Sequence, residues 1–365
     1  MIKVLHFVAT MSAPGGVQSL LSNYYECMDH NKVTFDFAAF DNRNTEYRQK
    51  YENMGAKIHY IPPKKKGLVA HIREIARLFD ENSYTIVHTH QNFRGALTIW
   101  IAKRKGVKTR IVHSHRSNAP ESTKVRLIRK IMTPWIIHNA TDLWACGQDA
   151  ALWLYGKKRV ESGCVRILPN AIHTDRFAYD QQMRDKMRGE YDLEGKFVIG
   201  NVSRFNTQKN HARLIDIFDE IHRRIPNAVL FLVGDGELKT SIQEKVHKLG
   251  LDEFVIFAGA RTDVPNMLQL MDFFVLSSDF EGLPVVLLEA QCNGLACIAG
   301  DNITKEVAVT DNMFYVPQNA SPAQWADVIE EKMNYQRKDG SGTVRAKGYD
   351  IHDQAKTLEE FYLGC

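Results

Sequence analysis

The chain alternates short apolar runs with amphipathic stretches over most of its 365 residues. Short runs rich in Val, Ile, Leu and Phe are typical of buried parallel strands, whereas an apolar residue every three to four positions indicates a helix. This alternation predicts an α/β fold built from parallel, Rossmann-like sheets. In the first half, strands are expected at 2–9, Thr34–Phe40, Lys57–Ile61, Ile86–His88, Arg110–His113 and Leu143–Ala145, with helices at Ser19–Met28 and near 45–54, 68–80, 94–105, 121–138 and 148–155.

The length predicts two domains, because one hydrophobic core rarely serves so many residues. A second series of strands is expected at Phe197–Ser203, near 228–233, and at Val255–Ala258, Phe273–Leu276 and Ala296–Ala299, with helices near 321–334 and 351–363. The charged stretch 180–195 is expected to be irregular. We therefore place one domain at 1–174, a second at 175–350 and a C-terminal helix at 351–365.

Two glutamates flank a tight turn after the apolar run Phe273–Leu276. Glu281 lies in the turn, and Glu289 follows in a helix that Pro284 suits as first residue and Gly294 as the residue past the end. Ligands of open α/β sheets bind beyond the carboxyl ends of the strands, and a helix start favours an anion. Acids beside such an anion site indicate a ligand that also presents hydroxyls, such as a nucleotide or a phosphorylated sugar. The spacing alone is weak evidence, since solvated helix faces often carry two glutamates.

Two other turns are candidates for phosphate contacts. Arg204 and Lys209 follow a predicted strand, and their side chains can converge on one diphosphate, although such pairs are more often ordinary surface features. Gly15 and Gly16 follow the first strand, where a glycine pair lets backbone N–H groups approach a phosphate. Either turn by itself is weak evidence for a site.

Four histidines lie at the ends of two neighbouring predicted strands: His88, His90, His113 and His115. A lone histidine would more often be structural, but four at adjacent strand ends favour a site. Neutral imidazole can accept a hydroxyl proton near pH 7.

The segment Glu-Gly-Leu-Pro-x-x-x-x-Glu-Ala, from Glu281 to Ala290, resembles the paired-glutamate motif of retaining glycosyltransferases of family 4, the "glycosyl transferases group 1". These enzymes use nucleotide sugars, and bacterial capsule, exopolysaccharide and lipopolysaccharide transferases are among them. The likeness is strong over 197–300 and looser over 1–170. It implies the GT-B fold, in which two Rossmann-like domains face each other across a cleft. The first domain would bind the acceptor, the second the nucleotide sugar, and the last helix would cross back to the first domain.

The resemblance also implies roles on the donor side. Arg204 and Lys209 would stabilise the leaving diphosphate, and Glu289 would accept hydrogen bonds from the ribose hydroxyls. Gly15 and Gly16 would face the donor phosphate. The sugar would be held by Glu281 and the backbone of Gly282, Leu283 and Pro284.

On the acceptor side, the stretch Arg110–Ser117 is similar to the family segment whose histidine lies near the transferred sugar. His115 is the preferred candidate because it lies further into the loop, and His113 would orient it. His90 and His113 are assigned to the acceptor side. Which of His113 and His115 is nearer the chemistry stays open.

The expected reaction is transfer of a hexose from a nucleoside diphosphate, with UDP suggested by its frequency in the family, to an acceptor hydroxyl. The acceptor would be a lipid-linked glycan of capsule or exopolysaccharide synthesis, and the anomeric configuration would be retained. No Asp-x-Asp occurs in the sequence, so no metal and no cofactor are expected, and Arg204, Lys209 and the helix start after Gly282 would neutralise the diphosphate. The alternatives are a nucleotide-sugar 2-epimerase and a non-catalytic sugar-nucleotide-binding scaffold.

Basic residues are concentrated in the first half of the chain. Residues 1–175 hold 26 Lys and Arg against 14 Asp and Glu, whereas the remainder holds 21 against 29. A solvated surface is the simplest interpretation, but an anionic leaflet attracts such clusters by about 1 kcal/mol per residue. Peripheral attachment to a membrane is therefore favoured over nucleic acid, for which no aromatic-basic interleaving is present. The clusters are Lys64–Lys66, Lys103–Lys105, Lys124–Lys130 and Lys157–Arg159.

The helix at 121–138 is open to two interpretations. Its apolar residues, spaced as on one helix face, indicate either core packing or a face for membrane or lipid. Pro134 is expected to end or kink the helix near Thr133. No apolar run of 18 residues occurs and the N-terminus lacks the features of a signal peptide, so we expect a cytoplasmic protein at the inner face of the membrane. The six cysteines show no metal-ligand spacing.

Overall fold

The computed structural model describes residues 1–11, 16–43, 45–116 and 121–365. These residues form two compact units. Unit 1 comprises 1–171 and 350–365, and unit 2 comprises 172–349. Each unit contains one parallel sheet, and the α/β class expected from the alternation is confirmed.

Unit 1 has a seven-stranded sheet in the order β3-β2-β1-β4-β5-β6-β7, with all neighbours parallel. The order reverses between β1 and β4, and this reversal is the point at which open α/β sheets form a ligand crevice. The strands are β1 (Ile2–Phe7), β2 (Val33–Ala39), β3 (Ile58–Tyr60), β4 (Ile86–Thr89), β5 (Thr109–Ser114), β6 (Asp142–Ala145) and β7 (Val165–Ile167). The helices are α1 (Gly16–Glu26), α2 (Glu46–Asn53), α3 (Leu68–Glu81), α4 (Ala96–Arg104), α5 (Thr123–Asn139), α6 (Gln148–Tyr155) and α7 (Lys157–Glu161), with 3₁₀ turns at Lys64–Lys66 and Asn92–Gly95.

Unit 2 has a six-stranded sheet in the order β10-β9-β8-β11-β12-β13, again parallel throughout. Its order reverses between β8 and β11. The strands are β8 (Phe197–Val202), β9 (Ala228–Val233), β10 (Val255–Gly259), β11 (Phe273–Leu276), β12 (Ala296–Gly300) and β13 (Met313–Val316). The helices are α8 (Gln181–Glu190), α9 (His211–Arg224), α10 (Lys239–Lys248), α11 (Val264–Leu270), α12 (Val285–Cys292), α13 (Pro322–Lys332) and α14 (Ser341–Val344), with 3₁₀ turns at Thr207–Lys209 and Lys305–Val307 and a π-helical turn at Arg345–Tyr349.

The last helix, α15 (Ile351–Leu363), belongs to the core of unit 1. Asp350 caps it by accepting hydrogen bonds from two backbone N–H groups. Its buried residues recur at helical spacing and pack with aromatic residues of α1 and β2. The buried face consists of Ile351, Ala355, Leu358 and Tyr362.

The expectation of irregular structure at 180–195 is wrong, because α8 spans much of this stretch. Asp180 caps the helix by accepting from the Met183 N–H at 3.0 Å. Arg184 and Arg188 both pair with Asp272, at 2.5 and 3.3 Å. The charges that suggested an irregular segment therefore fix this helix to unit 2.

Helix α5 spans Thr123–Asn139, close to the expected 121–138, and Pro134 does not end it. Proline removes one backbone donor from the helix, but the last turn is held by Asn139, whose Nδ2 donates to the Trp135 carbonyl at 2.7 Å. None of the helices in the part of the chain that the structure describes has the length and hydropathy needed to span a bilayer.

Candidate active site

The loops after β8 and β11 meet at the switch point of unit 2. Lys209 Nζ lies 2.6 Å from Glu281 Oε1, and the Glu281 side chain is only 8% exposed. Gln208 Nε2 donates to the other Glu281 oxygen at 3.3 Å and to the Phe280 carbonyl at 2.9 Å. The structure thus brings together a cation and a carboxylate that the sequence places 72 residues apart.

Asparagine caps shape the loop that carries Lys209. The Asn206 side chain accepts from the Lys209 N–H at 3.1 Å. Asn210 adopts the left-handed conformation with φ 48° and caps α9 by accepting from the Arg213 N–H. It also donates to Asp279 at 2.8 Å. This link ties the start of α9 to the loop before Glu281, so the position of Lys209 is set by side chains as well as by the backbone.

Arg204 lies in the same loop, but its guanidinium pairs elsewhere. Arg204 Nη2 is 3.1 Å from Glu237 Oε2, and the two side chains are 69% and 57% exposed. Glycines permit this approach, because a Cβ on Gly234 or Gly236 would lie 2.0 or 2.4 Å from a backbone carbonyl of the β8 loop. Arg204 therefore pairs with Glu237, whereas Lys209 pairs with Glu281.

Glu289 is the fifth residue of α12 and is partly buried. Burial raises the pKa of its carboxyl to about 7. Among the residues that the structure describes, none donates a hydrogen bond to this side chain. A carboxyl held in this way is suited to accept hydrogen bonds from ligand hydroxyls.

The turn before α12 places the remaining predicted donor residues. Gly282 and Leu283 form a bend, and Leu283 packs against the core of unit 2. Pro284 is the N-cap residue of α12, one position earlier than expected, and its carbonyl accepts from the Leu287 N–H at 3.0 Å. Gly294 has φ +76° just past the helix end, as expected for a glycine at this position.

The histidines of unit 1 form a hydrogen-bonded row from β1 to the loop after β5. His115 Nε2 lies 2.8 Å from His90 Nδ1, and His90 Nε2 lies 3.0 Å from His6 Nδ1. The backbone N–H of His115 donates to Asn92 at 2.8 Å. His90, rather than His113, is therefore the ring that hydrogen-bonds His115.

A second row lies deeper in the same unit. His113 Nδ1 is 3.1 Å from His88 Nε2, and His88 Nδ1 is 2.7 Å from the Tyr362 hydroxyl. His113 is fully buried, whereas His115 is partly exposed. The ring centroids of His113 and His115 are 4.0 Å apart, so His113 contacts His115 by packing. His115 is the ring of this pair that a ligand can reach.

Burial keeps these rings neutral. It lowers the pKa of His6 and of His115 to about 3, and it holds the pKa values of His88, His90 and His113 well below the ordinary range. Neutral imidazole is also the form that binds metal ions. Two overlapping sets bring ring nitrogens within 4.8 Å of one another and could hold a metal: His6, His88, His90 and His90, His113, His115.

The structure describes only one of the two glycines that follow β1. Gly15 lies outside the described residues. Gly16 is exposed and begins α1, and a Cβ there would meet no atom within 4 Å. Nearby, Gln18 Nε2 donates to the Thr10 carbonyl at 2.8 Å, which fixes the described part of the loop to the helix.

Several site residues were missed by reasoning from the sequence. His6 was not among the histidines that the sequence singled out, yet it is paired in register with His88 across β1 and β4. Tyr362, Gln208 and Glu237 carried no signal of their own. The strand order would have revealed His6, because it places β1 beside β4.

Comparisons with known proteins identify the family to which the chain is similar. The family described as "Glycosyl transferases group 1" matches residues 183–341, and "Glycosyltransferase Family 4" matches residues 14–176. A putative glycosyltransferase of Bacillus subtilis, EpsF, is 31% identical over 99% of this chain and 96% of its own length. An Escherichia coli UDP-Gal:alpha-D-GlcNAc-diphosphoundecaprenol alpha-1,3-galactosyltransferase is 30% identical over 65% of this chain and 63% of its own.

Solved structures show the same fold. Anabaena HepE in complex with UDP superposes with a TM-score of 0.82 at 16% identity, over the whole of both chains. WaaG, a glycosyltransferase involved in lipopolysaccharide biosynthesis, superposes with a TM-score of 0.73 at 15% identity, over 99% of this chain and 100% of its own. The expected GT-B fold class, with two Rossmann-like domains that each contain one parallel sheet, is confirmed.

Proposed function

This glycosyltransferase belongs to the glycosyl transferases group 1, and from that premise we propose that it moves a hexose from a UDP-hexose to a hydroxyl of a lipid-linked glycan in polysaccharide synthesis. The observation that carries the donor half of the proposal is the Lys209–Glu281 pair at the switch point of unit 2. The choice of UDP is supported by the E. coli relative, which is named for UDP-Gal, and by HepE, which was solved with UDP.

On the donor side, Lys209 supplies positive charge to the diphosphate. Glu281 holds the ammonium at 2.6 Å before the donor arrives, and Gln208 holds Glu281. Charge placed before the reaction stabilises the leaving group without reorganisation. Arg204 is mostly exposed and can exchange Glu237 for a phosphate oxygen.

The sugar nucleotide needs hydroxyl contacts as well as charge. Glu289 accepts hydrogen bonds from the ribose, because its partly buried carboxyl has no donor among the described residues. Glu281 and the backbone from Gly282 to Pro284 hold the hexose. In this proposal Gly15 and Gly16 face the donor phosphate.

On the acceptor side, His115 takes the proton of the attacking hydroxyl. A neutral imidazole donates through one nitrogen and accepts through the other. When His90 Nδ1 accepts from His115 Nε2–H, the Nδ1 of His115 carries the lone pair that receives the proton. His90 and His6 fix this tautomer through their hydrogen bonds.

We further propose that the reaction retains configuration and needs no metal. In this account the diphosphate is neutralised by Lys209, Arg204 and the first N–H groups of α12. Attack on the same face as the departing phosphate leaves the anomeric configuration unchanged. NMR of the product tests retention, and an inverted linkage would contradict it.

Because the proposed acceptor carries a lipid, we propose that the enzyme binds to a membrane. The proposed contact surface is the exposed face of α5. Leu127 and Ile131 are 59% and 61% exposed, and Trp135 is 37% exposed. On a helix of 3.6 residues per turn these three lie within about 80° of one another. The exposed Lys124 and Lys130 flank them, which suits an anionic surface.

Vesicle flotation tests the membrane proposal. The wild type should float with vesicles containing phosphatidylglycerol and stay behind with pure phosphatidylcholine. Leu127→Ser/Ile131→Ser should reduce flotation, whereas the matched surface variant Leu249→Ser in unit 2 should not. Equal flotation of all three proteins would contradict this role for α5.

A donor panel tests the catalytic proposal. UDP- and GDP-hexoses are incubated with the full chain and a lipid-extract acceptor, in EDTA, and the released nucleotide is measured. One UDP-hexose should be consumed with formation of a glycoside. Consumption without a glycoside would indicate an epimerase or hydrolase, and an absolute need for added metal would contradict the metal-free mechanism.

A further inference from the structure

Three histidines of unit 1 bring imidazole nitrogens close to one point. One ring nitrogen from each of His90, His113 and His115 lies within 4.8 Å of the others. The three residues belong to the ends of β4 and β5, so the parallel pairing of these strands fixes the spacing of the rings. Imidazole suits zinc, copper and nickel ions, and three protein ligands are typical of a zinc ion that keeps one position open.

His113 offers a nitrogen that has no other use. Its side chain is fully buried, and its Nε2 makes no hydrogen bond with any described residue. Its Nδ1 lies 3.1 Å from His88 Nε2, and His88 Nδ1 lies 2.7 Å from the Tyr362 hydroxyl. The second nitrogen of a metal-binding histidine is typically held by a hydrogen bond in this way. A buried polar atom without a partner calls for an explanation, and a cation at Nε2 would supply one.

His90 is held in the same manner and is directed at His115. Its Nε2 lies 3.0 Å from His6 Nδ1, and its Nδ1 lies 2.8 Å from His115 Nε2. Two nitrogens that share a tetrahedral zinc ion at about 2.0–2.1 Å are about 3.4 Å apart. The pair therefore has to open by about 0.6 Å from its 2.8 Å separation to admit the ion. Because His115 is partly exposed, a small rotation of its ring is enough.

The other histidine set of unit 1 is less suited to a metal ion. It consists of His6, His88 and His90, which are all buried. Both nitrogens of His88 already lie within hydrogen-bond distance of another side chain. The set that contains His115 is therefore the one that an ion from solution can reach.

We infer that His90, His113 and His115 form a binding site for Zn²⁺, and that the bound ion inhibits the transfer reaction. The inhibition rests on the proposed function, in which His115 takes the hydroxyl proton at Nδ1. If the ion binds Nε2 of His115, the ring proton occupies Nδ1, and if the ion binds Nδ1, the lone pair there is used. In both cases His115 has no lone pair left for the proton of the attacking hydroxyl.

Calorimetric titration of the metal-free full chain with Zn²⁺ tests the site. The wild type should show a tight site that His115→Ala and His115→Gln lack, and both variants should fold because His115 is partly exposed. Loss of an outer partner of a metal ligand costs about 10–100-fold in affinity, so loss of a ligand should cost at least about 100-fold. The matched control is His247→Ala, which removes an 81% exposed ring of unit 2 and should bind Zn²⁺ like the wild type.

A transfer assay tests the inhibition. Free Zn²⁺ is set with a chelating buffer, so that the donor diphosphate is not depleted by the metal. Saturating Zn²⁺ should lower the kcat of the wild type by about 10²-fold, which is the effect of losing a general base, and EDTA should restore it. UDP affinity should stay unchanged, because the residues proposed to bind the nucleotide lie in unit 2.

Two results would overturn the inference. Equal Zn²⁺ affinity in the wild type and His115→Ala would exclude the site, and full transfer by the Zn²⁺-saturated wild type would exclude the inhibition. Failure of the proposed function appears separately, as absence of transfer by the metal-free enzyme. If Zn²⁺ binding still depended on His115 in that case, the site would stand and the inhibition would fall with the function.

Discussion

The two units share one strand order up to the sixth strand but carry opposite chemistry at the point where that order reverses. In unit 1, β1 and β4 present imidazoles that burial keeps uncharged. In unit 2, the loops after β8 and β11 present an ammonium and a carboxylate 2.6 Å apart. The backbone supplies a crevice in both units, so the side chains placed there decide what each crevice can bind.

The difference follows from what each half of a glycosyl transfer requires. A departing diphosphate carries negative charge and needs cations, a role that we propose for Lys209 and Arg204. An attacking hydroxyl needs a neutral group that can take its proton, and a cluster of buried imidazoles stays neutral near pH 7. Variants that damage one crevice should therefore leave the other crevice's task intact.

Lys209→Ala should give the largest loss. It removes the cation from the diphosphate and leaves the Glu281 carboxylate without its ion pair, so kcat/KM should fall by about 10³-fold. Steady-state kinetics with the preferred donor measures the fall. Lys248→Ala, an exposed lysine of the same unit, should behave like the wild type. A loss below tenfold would remove Lys209 from the mechanism.

His115→Ala should come next and should affect transfer without affecting donor binding. Loss of a general base reduces kcat by about 10²-fold or more. His90→Phe should give a smaller loss, together with a changed pH profile, because His115 keeps its position but loses the hydrogen bond that sets its tautomer. The control is His247→Ala, which removes an 81% exposed ring from unit 2.

Acid should loosen unit 1 before unit 2. The folded pKa values of the row lie below the unfolded value of about 6.5, so the unfolded chain binds more protons as pH falls. Stability is therefore complete above about pH 6.5 and declines towards the folded values of about 3, by about 1.4 kcal/mol per pH unit for each ring. Hydrogen exchange at pH 7 and pH 5 should show faster exchange in β1, β4 and β5 than in β8 and β11. Equal acceleration of hydrogen exchange in both sheets would contradict the proposed difference in acid sensitivity between the two units.

Glu289→Gln should weaken donor binding and increase the stability of the folded protein at pH 8. The raised pKa of about 7 means that the folded chain holds a proton that the unfolded chain has lost, so stability falls as pH rises through 4.5–7. The amide cannot ionise, and the variant should be about 1–2 kcal/mol more stable than the wild type at pH 8 and unchanged at pH 4. Donor KM should rise. Thermal unfolding at both pH values checks the sign, and destabilisation at pH 8 would contradict it.

Gly16→Ala should give the smallest effect. The added methyl group meets no atom within 4 Å, so the melting temperature should stay unchanged. If Gly16 lies against the donor phosphate, donor KM should rise several-fold while acceptor KM stays constant. An unchanged donor KM would remove this glycine from the phosphate site.

Much of the fold follows from local sequence, because each strand is a short apolar run and each helix carries its own periodicity. The helix Gln181–Glu190 was missed because its two arginines pair with Asp272, which lies 88 and 84 residues away from them, and a local sequence pattern does not show such a partner. The face of α5 was left open for a related reason, since exposure of Leu127 and Ile131 depends on what packs beside them.

The candidate site divides in the same way. Glu281 and Glu289 could be selected because both belong to one turn and the helix after it, and Lys209 because it shares a short loop with Arg204. His6 and Tyr362 could not, since they join the histidines only through strand order and through the packing of α15. Site residues that only the strand order brings together cannot be identified without a structure. Site residues that share one loop can be identified from the sequence.

Titration of UDP into the wild type, Lys209→Ala and His115→Ala tests the division of labour most directly. Lys209→Ala should bind UDP at least about tenfold more weakly, while His115→Ala should bind it like the wild type and lose transfer. Unchanged UDP affinity in Lys209→Ala, or an equal loss in both variants, would contradict the assignment of the nucleotide to unit 2 and of proton transfer to unit 1.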